Sequence, residues 1–301
     1  MPLLDGFCLR PVARVSARWF AIIGALMVVF ALSGCSSLRL AYNNAPNLSL
    51  WWLDGYFDFD GDQSERMRAE LQGLQKWHRA QELPLLAEVF KNLQASATQP
   101  VSAEQVCGLY TYLQTRAQAA SDRMAPALAA LAPTLQAQQL DHIAREFDKR
   151  NRQWREEWMD GPPAEVSERR VTRLADRAES FYGRLEPAQL AVLRTQLGLA
   201  GYDAALHYRE MQRRQQDALQ TLRELRTGAV APARAQTELS ALIGRSFKSP
   251  DTLFQQYMAR FTAQSCAAVA AMHNSTTPTQ RQRLAQTLKD YEADVQTLIA
   301  P

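Results

Sequence analysis

The sequence predicts an all-α protein, built as an elongated bundle of about seven to eight helices after an N-terminal lipoprotein signal. The chain of 301 residues is rich in Ala, Leu, Gln, Arg and Glu, which are good helix formers. Apolar residues recur at every third or fourth position, the spacing of one helix face. No segment shows the clear alternation of apolar and polar residues that marks a half-buried strand.

The first 34 residues predict an export signal. An apolar run over residues 19–32 is shorter than the ~20 residues that a transmembrane helix needs. It follows three basic residues, Arg10, Arg14 and Arg18. The sequence Leu32-Ser33-Gly34-Cys35 then resembles the lipobox of bacterial lipoproteins, which implies cleavage before Cys35 and acylation of its thiol and amino group. The alternative is an ordinary anchor helix with a chance cysteine.

Lipidation at Cys35 predicts where the protein resides. Several acyl chains, palmitate among them, hold a protein stably on a membrane, since each buried methylene contributes ~0.8 kcal/mol. Ser36 stands where retention in the inner membrane favours Asp, so we expect an outer-membrane protein that faces the periplasm. The predicted organisation is a signal peptide at 1–34, a lipid anchor with a tryptophan-rich junction at 35–61, and a helical domain at 62–301.

The helical domain is predicted to divide at its prolines. The first helix starts near Asp62 and is kinked at Pro84, because proline removes one backbone donor and crowds the preceding turn. The second starts at Ser102, and we expect the two prolines that follow, Pro126 and Pro133, to end it. Further apolar stripes run from Leu140 to Trp158, from Val171 to Leu185, from Phe254 to Met272 and from Leu284 to Leu298.

One stripe predicts an unusually long helix. Its apolar residues follow a heptad-like spacing from Pro187 to Arg226, which corresponds to ~60 Å of helix. Gly201, Ala204 and Gln215 lie in the middle of the stripe, and they predict close packing against neighbouring helices.

Glutamines recur near the starts of the predicted helices. The five are Gln63, Gln105, Gln139, Gln189 and Gln280. Ser102 and Thr277 precede two of them at the spacing of a capping box. The repetition resembles the L-T-x-x-Q element of Spy-type periplasmic chaperones. Repeated use of a favourable helix start is the alternative explanation.

Two pairs of residues carry predictions about the mature chain. Cys8 is expected to leave with the signal and Cys35 to carry lipid, so Cys107 and Cys266 remain, and an oxidising compartment favours a disulfide between them over two buried thiols. Trp51 and Trp52 either form a belt at the membrane interface or pack onto the helical body, and the sequence leaves both arrangements open.

Residues that usually carry catalysis or bind metals form no recognisable pattern. Asp58, Asp60, Asp62 and Glu65 crowd one turn, but the calcium-loop spacing fails, and an acidic helix start explains them. The four histidines lack zinc or di-iron spacing, and His207 with Glu210 is interpreted as a surface contact. We therefore predict no catalytic residue, no metal and no cofactor.

One predicted helix alternates tryptophans with basic residues. Phe147, Trp154 and Trp158 are interleaved with Arg145, Lys149, Arg150, Arg152 and Arg155. Such a pattern can contact an anionic polymer, a glycan or lipid headgroups. The alternative is an aromatic core stripe flanked by solvated arginines. Charge is nearly balanced, with 34 basic and 31 acidic residues, so nucleic acid is not an expected partner.

Several motifs together resemble a known family. They are Cys35-Ser36-Ser37 with Tyr42-Asn43-Asn44-Ala45-Pro46, Trp51-Trp52-Leu53-Asp54 with Asp58, Asp60 and Gln63, Trp77-His78-Arg79 with Glu82-Leu83-Pro84, and Cys266 with His273 to Gln280. The chain resembles, over essentially its whole mature length, an uncharacterised family of bacterial outer-membrane lipoproteins that is known only as a domain of unknown function. The resemblance implies anchoring and compartment and supplies no activity.

Three functions follow as hypotheses. The first is a non-enzymatic protein, a scaffold or a chaperone-like binder of an envelope protein partner, with a concave or exposed apolar face. The second is an envelope enzyme acting on cell-wall or lipid material, with carboxylates such as Asp58 and Glu65 lining a cleft. The third is a binder of lipid or another hydrophobic ligand between the helices.

Overall fold

The computed structural model describes residues 34–226 and 230–300, which form two separate units. The first described helix, α1 (Gly34–Asn43), contains Cys35 and belongs to the N-terminal unit, while the second unit begins at Asn44. Residues 1–33 of the predicted signal peptide lie outside the described residues. No helix within the described ranges is long and apolar enough to cross a membrane.

Every regular element in the described residues is helical, which confirms the predicted all-α class. After α1 come α2 (Ala45–Phe57), α3 (Gly61–Gln81), α4 (Leu83–Ser96), α5 (Ala103–Leu131), a 3₁₀ turn (Ala132–Thr134), α6 (Ala137–Trp158), α7 (Pro163–Tyr182), α8 (Pro187–Leu199), α9 (Ala204–Arg226), α10 (Pro232–Phe247), α11 (Thr252–Asn274) and α12 (Pro278–Ile299). These twelve helices of the described chain exceed the seven to eight that we predicted. The excess arises because α1 and α2 occupy the predicted junction and because two predicted helices are each divided into two.

The prolines act differently from one another. Pro84 lies in the first turn of α4, a helix separate from α3, so the predicted kink within one helix is instead a boundary between two helices. Pro126 does not end α5, and that prediction was wrong. The helix continues to Leu131 because the residues around Pro126 are buried in the core, whose packing outweighs the loss of one backbone hydrogen bond.

The predicted long helix is two helices, α8 and α9. Gly201 lies between them with φ +60°, a left-handed conformation that glycine adopts without steric cost. A Cβ atom at this position would meet nothing within 4 Å. The prediction that Gly201 permits close helix packing was therefore wrong, because its backbone conformation explains the glycine.

The buried residues form separate clusters. The largest joins α2, α3, α5, α6, α9 and α10 through Leu50, Met67, Leu71, Leu131, Leu140, Ile143, Leu222, Leu225 and Leu239, among others. A second cluster joins α7, α8 and α11 through Ala175, Leu185, Leu193 and Met272. A third joins α4 and α12 through Ala97, Leu284 and Leu288, with Phe181 of α7 packed against it.

All five glutamines that the sequence singled out occupy the same position, the third residue of a helix. Each side-chain oxygen accepts a hydrogen bond from the backbone N–H of the capping residue, at 2.8–3.2 Å. At Asp60, Ser102 and Thr277 the cap side chain also accepts from the glutamine's backbone N–H. The capping boxes predicted at Ser102 and Thr277 are confirmed.

Four of these glutamines form two buried pairs, which we call the glutamine clasps. In the first clasp, Nε2 of Gln63 donates to Oε1 of Gln139 at 3.2 Å, and Nε2 of Gln139 donates to Oε1 of Gln63 at 2.7 Å. In the second, Gln189 and Gln280 exchange the same two bonds at 2.6 and 2.9 Å. Each clasp therefore joins the starts of two helices that are distant in the sequence.

The two clasps share a further detail. Every amide in them also donates to a backbone carbonyl two residues before the partner's capping residue. These carbonyls belong to Thr134, Asp58, Ser275 and Arg184, at 2.8–3.1 Å. Both amide hydrogens of each glutamine thus have acceptors, as burial of a polar group requires.

A covalent bond adds a further tertiary link. Cys107 in α5 and Cys266 in α11 form a disulfide with Cα atoms 5.4 Å apart, the pairing that the sequence predicted. The bond closes a sequence separation of 159 residues. In the chain-entropy description, a loop of this length stabilises the fold by on the order of 4–5 kcal/mol.

We expect Gln189→Leu to lower the free energy of unfolding by about 2–3 kcal/mol, because it removes a capping-box side chain and leaves the buried amide of Gln280 without its partner. Urea unfolding followed by circular dichroism measures the effect.

Gln105→Leu is the matched control. Gln105 occupies the same position in α5 but is exposed, so we expect a loss of about 1 kcal/mol or less. Equal losses in the two variants would contradict a contribution from the clasp beyond the cap itself.

Candidate functional site

The exposed surface of α2 carries three large apolar side chains, which we call the tryptophan face. Leu48, Trp51 and Trp52 are 53%, 76% and 52% exposed, and their spacing places them on one side of the helix. The opposite side packs into the largest core cluster through Leu50 and Phe57. Of the two arrangements that the sequence left open, the structure therefore has both tryptophans largely outside the body.

Aromatic and basic residues flank the tryptophan face. The ring of Tyr56 lies 5.0 Å from that of Trp52 and 5.8 Å from that of Phe147 in α6. The guanidinium of Arg150 covers Tyr56 at 4.3 Å. A cation is thus held beside an exposed apolar surface.

The acidic turn before α3 serves the backbone. Asp60 caps α3, and Asp58 ends α2 with φ +48°. Asp58 and Glu65 are both exposed, and neither lines the pockets described below. Within the described ranges, no group of three or more His, Cys, Asp or Glu residues could hold a metal ion.

An apolar cleft lies between α4 and α5. It is lined by Leu85, Val89, Leu93, Leu109, Tyr112 and Leu113, and it comprises two pockets of about 420 and 170 Å³ that share Leu85 and Tyr112. Leu85, Tyr112 and Leu113 are exposed. The N-terminal half of α5 therefore presents apolar side chains that no described helix covers.

A second depression, which we call the basic groove, lies between α5, α9, α11 and the end of α10 with Lys248 and Ser249, which follow it. Its volume is about 850 Å³. Its apolar lining includes Tyr110, Phe247, Phe254, Met258 and Ala259. Arg214 and Lys248 also line it, whereas none of the lining residues is a carboxylate.

The basic groove adjoins an aromatic pocket of about 610 Å³. The two cavities share Arg214, Phe254 and Met258, and the aromatic pocket is also lined by Trp154, Trp158, Tyr202, His207, Glu210, Met211 and Gln215. Trp154 stacks on Tyr208 at 5.7 Å, and Arg173 covers Trp158 at 4.6 Å. The tryptophans of α6 therefore line a pocket. We predicted that the arginines between them either bind a polymer or are solvated. Arg150, one of these arginines, lies on the aromatic ring of Tyr56.

Glu210 is buried at the base of the aromatic pocket, so its interpretation as a surface residue was wrong. It is 4% exposed. Arg213 donates two bonds to its carboxylate at 2.8 and 2.9 Å, and Arg214 and Ser249 donate one each at 2.8 and 2.9 Å. Although burial raises the pKa of Glu210, these hydrogen bonds outweigh burial and lower the pKa below its usual value.

His207 lies in an aromatic environment. It stacks on Tyr202 at 4.9 Å and meets the edges of Tyr257 and Phe261 at 5.3 and 5.6 Å. Its Nε2 atom is buried and has no hydrogen-bond partner among the described residues. Burial lowers the pKa of His207, so the ring is neutral at neutral pH. His207 therefore forms no hydrogen-bonded dyad with Glu210.

A different histidine is fully hydrogen-bonded. Nε2 of buried His273 lies 2.8 Å from the carbonyl oxygen of Gln99, which can only accept, so Nε2 carries the proton. Nδ1 then accepts from the Tyr182 hydroxyl at 2.9 Å. Burial lowers the pKa of His273, and the charge of Arg281 lowers it further. Burial also raises the pKa of Tyr182 to about 12.

We expect the protein to lose stability as the pH falls below about 6.5, the ordinary pKa of histidine in an unfolded chain. Because the pKa of folded His273 lies lower, the unfolded chain binds the proton first, and acid favours unfolding. His78 and His207, whose pKa values burial also lowers, act in the same direction.

Urea midpoints at about pH 7.5 and about pH 5.5 measure this loss. In His273→Gln, which keeps a donor for the Gln99 carbonyl, the loss should be smaller. A midpoint that does not change with pH, or an equal loss in the variant, would contradict the assignment.

Some residues of these surfaces were not singled out as candidates from the sequence. Phe254 was visible only as part of an apolar stripe, and Arg214, Lys248 and Met258 carried no signal, because they converge from three separate elements. Trp51, Trp52, Trp154 and Trp158 were identified, but the structure places the two pairs on different surfaces.

The comparison with protein families gives one match, described as a family of unknown function, DUF6279, over residues 55–238. This range is narrower than the whole mature chain that the sequence motifs suggested, and it excludes Cys35, Trp51, Trp52 and Cys266. No curated protein and no solved structure matches the chain. Because the family match covers more than half of the chain, the protein belongs to this family of unknown function, DUF6279.

Proposed function

We propose that the protein is an outer-membrane-anchored periplasmic lipoprotein that binds apolar segments of unfolded envelope polypeptides and performs no catalysis. The observation that carries the binding proposal is the apolar cleft between α4 and α5. Its two walls present leucines and a tyrosine at helical spacing. An apolar segment that binds along the cleft therefore removes from water both its own apolar surface and that of the walls.

The composition of the cleft suits many partners better than one. Its apolar walls carry few polar groups that would select a sequence, with Glu88 and Asn92 at the edge and a Glu82–Arg116 ion pair of 3.6 Å at one end. Apolar contact is non-directional, so it accepts side chains of different shape. This is the property of a chaperone-like binder.

The proposed position at the membrane is supported by the tryptophan face. Its first residue, Leu48, follows Cys35 by only 13 residues. Tryptophan favours the boundary between headgroups and acyl chains, where its ring meets apolar material and its N–H meets water. The tryptophan face is near Cys35 in sequence. It would therefore act together with a lipid on Cys35 to hold the protein at the bilayer.

We expect Tyr112→Asp/Leu113→Asp to abolish suppression of client aggregation, because two carboxylates in the cleft repel apolar segments. The assay uses the full-length lipoprotein in vesicles, with reduced α-lactalbumin as the unfolded client and light scattering as the readout.

Leu174→Asp/Leu199→Asp is the control for this assay. Leu174 and Leu199 are exposed apolar residues outside the cleft, and the variant carries the same added charge. It should suppress aggregation as the unchanged protein does. Equal activity of the two variants, or no suppression by the unchanged protein, would overturn the binding proposal.

The membrane position has its own test. We expect lipids brominated in their acyl chains to quench the fluorescence of the reconstituted protein, and Trp51→Phe/Trp52→Phe to remove most of this quenching. Trp77→Phe is the control, since Trp77 lies half-buried in α3 beside His78.

Lipidation is measured in the same study by metabolic labelling with palmitate. The label should be lost in Cys35→Ser. Quenching that persists in Trp51→Phe/Trp52→Phe would show that the tryptophan face does not contact lipid, and a palmitate label that persists in Cys35→Ser would refute lipidation at that residue.

A further inference from the structure

The basic groove and the aromatic pocket have features that neither polypeptide binding nor membrane anchoring uses. Together they form an apolar path, with Arg214 at the junction of the two cavities and Lys248 in the groove. Phe254 and Met258 belong to both cavities, so a ligand chain that lies in the groove can continue past them toward Trp154 and Trp158. Methionine adapts its shape to a flexible chain, and both Met258 and Met211 line this path.

The charges at the groove are placed for an anion. Nε of Arg214 is held by Glu210 at 2.8 Å, and within the described residues its two terminal amino groups have no other hydrogen-bond partner. Lys248 is exposed and forms no ion pair with a described residue. Glu210, the one acidic residue that lines the path, is buried and compensated by Arg213, Arg214 and Ser249.

We propose that the basic groove binds a long-chain fatty acid. The carboxylate lies against Arg214 and Lys248, and the acyl chain runs along Phe254 and Met258 toward the aromatic pocket. An arginine with free terminal amino groups suits the two oxygens of a carboxylate. The groove volume, about 850 Å³, falls within the range of small-molecule sites.

A single-chain ligand fits better than a phospholipid with two chains. Apart from the groove that holds the carboxylate, one described cavity, the aromatic pocket, adjoins Arg214, and this pocket offers room for one acyl chain. This inference goes beyond the proposed function and does not depend on it, since the groove and the apolar cleft have no lining residue in common.

The test uses 9,10-dibromostearate as the probe and the full-length lipoprotein in vesicles. A Trp51→Phe/Trp52→Phe background removes the tryptophans that meet probe dissolved in the bilayer. We expect saturable quenching of Trp154 and Trp158, and none by the methyl ester, which lacks the charge. Arg214→Gln/Lys248→Gln should weaken the apparent affinity by about ten-fold or more, since a charge-assisted hydrogen bond to a ligand is worth at least this factor.

Two further variants keep the test decisive. We expect Lys248→Gln to lower the affinity for the probe several-fold. The Lys248 side chain forms no hydrogen bond or ion pair with a described residue, so this loss cannot arise from misfolding. Arg209→Gln/Arg260→Gln removes two exposed charges of α9 and α11 that line neither cavity, and it should bind as the unchanged protein does.

Some results would overturn the proposal. They are equal quenching by the acid and its ester, equal affinity of the groove and control variants, or saturable binding of an acidic peptide in place of the fatty acid. Tyr112→Asp/Leu113→Asp should leave fatty-acid binding unchanged, so failure of either proposal is distinguishable from failure of the other.

Discussion

The requirement that a buried amide satisfy all its hydrogen bonds underlies this fold. Gln63, Gln139, Gln189 and Gln280 are buried, and each meets the requirement only when a second helix start lies beside it. An unpaired amide in the core costs about 1–3 kcal/mol, so the clasps discriminate strongly against misplaced helices. The helices α3 and α6 are fixed against each other in this way, and so are α8 and α12.

The apolar cleft and the basic groove lie mainly on α4, α5, α9 and α11, helices that carry no clasp glutamine. α5 is joined to α11 by the disulfide and packs along α10, yet its N-terminal half keeps Tyr110, Tyr112 and Leu113 exposed. Its different sides line the apolar cleft and the basic groove. The rigid clasped helices thus support one helix whose apolar residues remain accessible.

Charge in the body is compensated within short networks. Glu210 is bound by Arg213, Arg214 and Ser249, while Arg245 pairs with Asp217 at 2.8 Å. A buried carboxylate is stable only with such partners, because desolvation disfavours its charge. The consequence for the basic groove is that Arg214 is held at one nitrogen, which orients the guanidinium and leaves positive charge for a ligand.

The sequence by itself determined what depends on local chemistry. Helical periodicity and the capping boxes at Ser102 and Thr277 are consequences of neighbouring residues, and each was predicted correctly. The effect of Pro84 was predicted at the right place, but as a kink within one helix and not as the boundary between two. The pairing of Cys107 with Cys266 followed from the expectation that Cys8 leaves with a signal peptide and that Cys35 carries lipid.

Only the tertiary structure decided which helix starts meet, that Pro126 lies inside a helix, that Glu210 is buried, and which apolar stripes stay uncovered. The glutamines of the clasps are 76 and 91 residues apart, and the basic groove brings residues of α5 near Tyr110 beside Arg214 of α9 and Phe254 of α11. The physical reason is that packing energy depends on partners that no local pattern specifies.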